Sequence, residues 1–160
     1  VHPDGAVQHY DKKHLFTFGG EHKRFTAGTE RVVVNFRGVR ILLEVCYDLR
    51  FPVWSRNLGD YDMILYVASW PTPRVDAWSA LLRARAIENQ CYVAGVNRMG
   101  TDPACEYSGG SAIIDPYGKT IAECPWSRES AVSADIDMEA LQAFRKKFPV
   151  LDDADPFTLI

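Results

Sequence analysis

Two short stretches carry residue types capable of covalent chemistry. In "LLEVCYDLRFP" (42–52) an apolar strand ends in Cys46 and runs straight into tyrosine, aspartate and arginine. A buried strand ordinarily passes into a turn of Gly, Asn or Pro. Either Cys46 is a small core residue, or the strand is a pedestal for a nucleophile. A thiol attacks only as thiolate, so it needs a nearby base or cation. The histidines at 2, 9, 14 and 22 all precede it. None pairs with another at metal-ligand spacing, and they read as structural or solvated. The other route is a lysine beside a carboxylate, where the carboxylate takes the proton and the ammonium stabilises developing charge. "YDKKHLF" (10–16) supplies Lys12 and Lys13 next to an apolar hook, although a lysine pair by itself is normally a solvated surface.

The elements that must position these residues follow from periodicity. "RVVVNF" (31–36) and "VRILLEV" (39–45) are predicted strands joined through Gly38. "MILYVAS" (63–69) and "CYVAGVN" (91–97) are nearly continuous apolar runs, as expected of strands buried on both faces. Between them a helix is predicted over 75–90, with Val75, Trp78, Leu82 and Ala86 recurring about once per turn. "SAIIDPYGKTIAEC" (111–124) reads as a hairpin and "AVSADID" (131–137) as a further strand. Asp137 is placed to cap a last helix carrying Leu141, Phe144 and Phe148. The pattern is α/β with a mixed sheet, in one domain over 1–160.

Bulk composition excludes several classes. A formal net charge of −3 offers no electrostatic footprint for nucleic acid or an anionic membrane. No apolar run is long enough for a membrane span. The cysteines at 46, 91, 105 and 124 show no C-x-x-C spacing, and a chain with 47% apolar residues does not need a disulfide framework. That combination points to a reducing, cytoplasmic setting.

Taken together, "YDKKHLF", "EHKRFTAG" (21–28) and "VCYDLRFP" (45–52), in this order and spacing, closely resemble the nitrilase, or carbon–nitrogen hydrolase, superfamily. The resemblance continues through "ASWP" (68–71), "LLRARAIENQCYVAGVNR" (81–98), "GGSAIIDPYGK" (109–119) and "FPVLDDADPF" (148–157), and is strongest to the bacterial omega-amidase branch. It implies an α-β-β-α sandwich and an amidase that removes ammonia from a 2-oxo dicarboxylate monoamide such as 2-oxoglutaramate. It also implies a homodimer and no metal or organic cofactor. Carried over residue by residue, it makes Cys46 the nucleophile, Lys12 rather than Lys13 the catalytic lysine, Glu21 a catalytic carboxylate near the site, and the backbone N–H of Tyr47 part of the oxyanion hole. Other chemistries of the same superfamily remain open: nitrile hydrolysis, N-carbamoyl amine hydrolysis, acyl transfer to an amine, or a non-catalytic protein keeping the fold. Trp70, just past a strand end, is a pocket candidate. Arg50 is either half of an ion pair with Asp48 or the receiver of the substrate carboxylate.

Two features depart from that pattern. "VHPDGAVQHY" reads as half of a hairpin about Asp4-Gly5, and the superfamily's general-base glutamate, upstream of the lysine, has no counterpart here. Both predict a further N-terminal portion. They also predict an apolar sheet face that the helices at 75–90 and 138–148 cannot cover, with the Cys46–Lys12 pair at its edge.

Overall fold

The computed structural model describes residues 1–158. Its centre is a six-stranded sheet in the order β1-β2-β3-β4-β7-β8. β1 (Val33–Phe36) and β2 (Val39–Val45) form an antiparallel hairpin. Arg37 and Gly38 both take positive φ, 51° and 84°, as a two-residue turn of this hand demands. β2, β3 (Met63–Ala68) and β4 (Tyr92–Asn97) run parallel. β7 (Ala112–Ile114) and β8 (Thr120–Glu123) add an antiparallel edge, joined by the turn at Asp115–Gly118. β5 (Met99–Thr101) and β6 (Glu106–Ser108) pair separately.

Helix α2 (Val75–Glu88) crosses from β3 to β4 and buries Trp78, Leu82 and Ala86, the stripe read from its spacing. Gly95 on β4 allows this approach: a β-carbon there would lie 2.5 Å from Leu82 Cδ1 and 2.8 Å from Trp78 Cζ2. Ahead of α2, the short helix α1 (Pro52–Ser55) buries Trp54. Helix α3 (Met138–Lys147) is capped by the Asp137 carboxylate, which accepts the Ala140 N–H at 2.8 Å. It is fastened by Arg145, which donates to Asp62 (2.9 Å) and to the Tyr61 and Gln90 carbonyls.

Two expectations need correction. Residues 131–137 alternate like a strand but join no sheet, and most are exposed; alternation supplies a face, not a partner ladder. The Asp4-Gly5 turn forms, with the His2 N–H donating to Ala6 O at 2.8 Å, but no strands flank it. The uncovered apolar sheet face expected from sequence is present on β3 and β4. Helix α2 covers one side, while Val67 and Val96, paired neighbours on the other, are 47% and 50% exposed. The described residues thus form one β layer with its helices, and that layer's open side is apolar.

Glu44 faces the covered side of β2, 1% exposed, with neither carboxyl oxygen hydrogen-bonded. Burial, reinforced by the charge of Asp48 and opposed by Arg31 and Arg85, pushes its carboxyl up to about 9 from an ordinary 4.5. The folded chain therefore keeps a proton that the unfolded chain releases. The stability this contributes is complete below about pH 4.5 and is lost as pH rises toward 9. Relative to Glu44→Gln, the natural chain should lose up to about 1.4 kcal/mol of unfolding free energy per pH unit between pH 5 and 8. Paired denaturant titrations measure this. An offset constant with pH would mean that Glu44 is already ionised in the fold.

Candidate active site

Cys46 stands where β2 ends, in a left-handed backbone conformation with φ 49°. Such a φ costs a residue with a β-carbon and marks a position over-determined by its surroundings. The surroundings here are a 3-10 helix, Cys46–Arg50, whose first turn is organised by Asp48. That carboxylate is fully buried and accepts four hydrogen bonds: Val45 N–H (3.0 Å), Tyr10 O–H (3.0 Å), His14 N–H (2.8 Å) and His14 Nδ1 (2.9 Å). From behind, Arg85 of α2 donates to the Leu49 carbonyl at 2.6 Å. One buried aspartate thus ties the 10–16 stretch to the turn that holds the cysteine.

That tie decides which lysine enters the site. Lys12 Nζ donates to both oxygens of Glu21, at 2.7 and 3.0 Å, and Glu21 also accepts the Phe16 N–H at 2.8 Å. The Gly28 N–H donates to Lys12 O at 2.9 Å, closing the loop; any β-carbon at Gly28 would run into the Asp11 carbonyl. Lys13 points elsewhere, its ammonium 5.1 Å from the centre of the Trp54 ring. Lys12, not Lys13, thus faces the cavity, and the segment 10–16 that carries both forms no strand.

Lys12, Glu21 and Cys46 line one cavity of about 730 Å3, together with Phe16, Arg74 and Tyr107. A smaller recess of about 40 Å3 opens beside Cys46, walled by Tyr47, Arg50, Trp70 and Arg74. Burial pushes the Cys46 thiol up; the Lys12 charge and a weak bond to the Ser69 carbonyl, 3.9 Å away, pull it down, and Glu21 and Asp48 push it up again, for a net rise. Burial also raises the Glu21 carboxyl, but the Lys12 ammonium and the Phe16 N–H outweigh it and hold Glu21 below the usual carboxylate range. An ionised carboxylate gripped this way is a weak proton acceptor and a strong holder of an ammonium. The Tyr47 N–H lies in the first turn of the 3-10 helix, where backbone donors lack intrahelical acceptors.

The Asp48–Arg50 ion pair considered from sequence does not form. Asp48 is occupied by Tyr10 and His14, and the Arg50 guanidinium instead lies 4.9 Å from the centre of the Trp70 ring. Trp70 is buried and fixed: its indole N–H donates to the Arg74 carbonyl (2.7 Å), and its backbone N–H and carbonyl are both held by the Asn97 amide. Cys91 and Cys124 are buried, and all four cysteines are free. Cys105, given no role from sequence, lines the same cavity as Cys46. Arg74 was also missed, and "PTPRV" carries no signal for it beyond a cation at a helix start. Among the described residues no group of metal-binding side chains is gathered, and no helix is long and apolar enough to cross a membrane.

Residues 1–146 match the family described as carbon–nitrogen hydrolase. The chain is 55% identical over 160 residues to the omega-amidase YafV of Escherichia coli strain K12, covering 99% of the chain and 62% of that protein. It is 42% identical to the 2-oxoglutaramate amidase of Bacillus subtilis, over 92% of the chain and 57% of that enzyme. Among solved structures, the CN-hydrolase superfamily protein XC1258 of Xanthomonas campestris, which carries an arsenic adduct in its active site, superimposes with a TM-score of 0.94. It is 49% identical, over 98% of the chain and 62% of that protein. The chain thus spans 62% of the length of YafV and of XC1258.

Proposed function

The chain belongs to the carbon–nitrogen hydrolase family, and from that premise we propose that it serves an amidohydrolase releasing ammonia from small omega-amide acids of the 2-oxoglutaramate type. The observation that carries the reading is the Lys12 ammonium, clamped by both Glu21 oxygens on the wall of the cavity that also holds Cys46 on its left-handed turn. Similarity to omega-amidases over nearly the whole chain supports the substrate class.

In this reading the amide carbon meets Cys46, while its oxygen takes up negative charge between the Lys12 ammonium and the Tyr47 N–H. Sulfur bonds to carbon and the C–N bond breaks. The proton that leaves sulfur ends on the amide nitrogen, which departs as ammonia. Water then cleaves the thioester, releasing the acid and restoring the thiol. Glu21 works by positioning Lys12. Arg50 and Trp70 wall the recess beside the nucleophile and contact the substrate's edge. No step calls for a metal or organic cofactor. Cytoplasmic residence, where thiols stay reduced, and a homodimeric assembly complete the proposal.

Ammonia release by the whole protein tests it, with 2-oxoglutaramate offered beside glutamine, a simple nitrile and an N-carbamoyl amine. Preference for 2-oxoglutaramate is expected. A nitrile or N-carbamoyl amine turned over faster would move the chain to another chemistry of its family, and no turnover of any of them would favour a non-catalytic role.

A further inference from the structure

The cavity holds a cation that no ion pair among the described residues engages. Arg74 closes a 3-10 turn, Thr72–Arg74, and leads directly into α2. Its backbone is fixed on both sides: its N–H donates to Pro71 O at 3.0 Å, and its carbonyl accepts the buried Trp70 indole N–H at 2.7 Å. The side chain is half-buried, with Cζ 5.5 Å from the centre of the Phe16 ring. It lines both the large cavity and the recess beside Cys46.

Among the described residues, the ion pairs engage Lys12, Arg31, Arg40, Arg85, Arg98 and Arg145, but not Arg74. The two carboxylates of the cavity do not serve it. Glu21 is taken by Lys12, and Asp11 lies 4.0 Å from His9 Nε2. A guanidinium fork is shaped to receive a carboxylate through two parallel hydrogen bonds. Arg50 also lacks an acidic partner, but it is exposed, lies against Trp70 and lines only the small recess.

We propose that Arg74, rather than Arg50, is the specificity-determining residue that binds the free carboxylate of the substrate. This rests on the amidohydrolase reading and sharpens it. Because Glu21 already neutralises Lys12, the lysine does not compete for the substrate's charge. The two cations then set the polarity of binding, with the carboxylate on Arg74 and the amide on Cys46. An acid bearing its amide at the far end fits this arrangement. A neutral amide loses the anchor.

The test uses the whole protein and compares kcat/KM for glutaramate with that for pentanamide, which has a methyl in place of the carboxylate. Arg74→Gln should lower this ratio about 10- to 100-fold, mainly through KM for glutaramate, and Arg74→Lys should restore part of it. Equal losses on both substrates would make Arg74 a structural residue, and an unchanged ratio would overturn the proposal. A binding measurement separates it from the reaction itself. In a Cys46→Ala background, calorimetry should show 2-oxoglutarate binding that Arg74→Gln weakens by a similar factor. If no amide were hydrolysed yet this binding depended on Arg74, the amidohydrolase reading would fail and the anion subsite would stand. Binding indifferent to Arg74 would remove the subsite, whatever the turnover.

Discussion

Cys46→Ala should reduce ammonia release by at least about 10^3-fold while leaving the fold intact. The size follows from the role. A packing defect from trimming one sulfur costs stability, whereas loss of a covalent nucleophile removes the reaction path. The site predicts little structural penalty, because Cys46 sits on the cavity wall with only a weak contact to the Ser69 carbonyl. Removing the thiol leaves the four hydrogen bonds to Asp48 that shape the turn untouched. Circular dichroism and denaturant midpoints should therefore match the natural protein. Cys91→Ala and Cys124→Ala provide the contrast, since those thiols are buried among core residues and should affect stability more than turnover. A Cys46→Ala protein retaining a tenth of the natural rate would remove Cys46 from the chemistry.

Much of this site is legible in sequence, for reasons that differ from residue to residue. Cys46 is visible because a thiol at a strand end breaks local expectation. The stripe of Trp78, Leu82 and Ala86 is visible because helical periodicity is local. The organising role of Asp48 is not, since its partners Tyr10 and His14 lie 38 and 34 residues away and only the folded chain brings them together. Those same contacts orient Lys12. Its register is set by Asp48 fastening an irregular segment, not by any strand. Arg74 escapes sequence reading for the opposite reason. Its significance is that no ion pair among the described residues engages it, and a missing ion pair has no sequence signature. Residues 131–137 carry the alternation of a strand without any edge to receive them.

The Lys12–Glu21 pair should behave as one unit. Lys12→Ala removes the charge facing the developing oxyanion and should lower kcat by about 10^2- to 10^4-fold, with a smaller effect on KM. Glu21→Gln leaves the ammonium in place but loosens its clamp, because an amide offers one acceptor where the carboxylate offers two. Its loss should be smaller, about 10- to 100-fold. The decisive measurement is the double variant. If Glu21 acts only through Lys12, adding Glu21→Gln to Lys12→Ala should cost nothing further, since there is no longer an ammonium to position. If Glu21 itself exchanged a proton with the substrate or the thiol, the two losses would multiply, and Glu21→Gln alone would abolish the acidic limb of the pH–rate profile. The geometry favours non-additivity. A carboxylate drawn below its usual range by an ammonium 2.7 Å away holds its charge well and takes up a proton poorly.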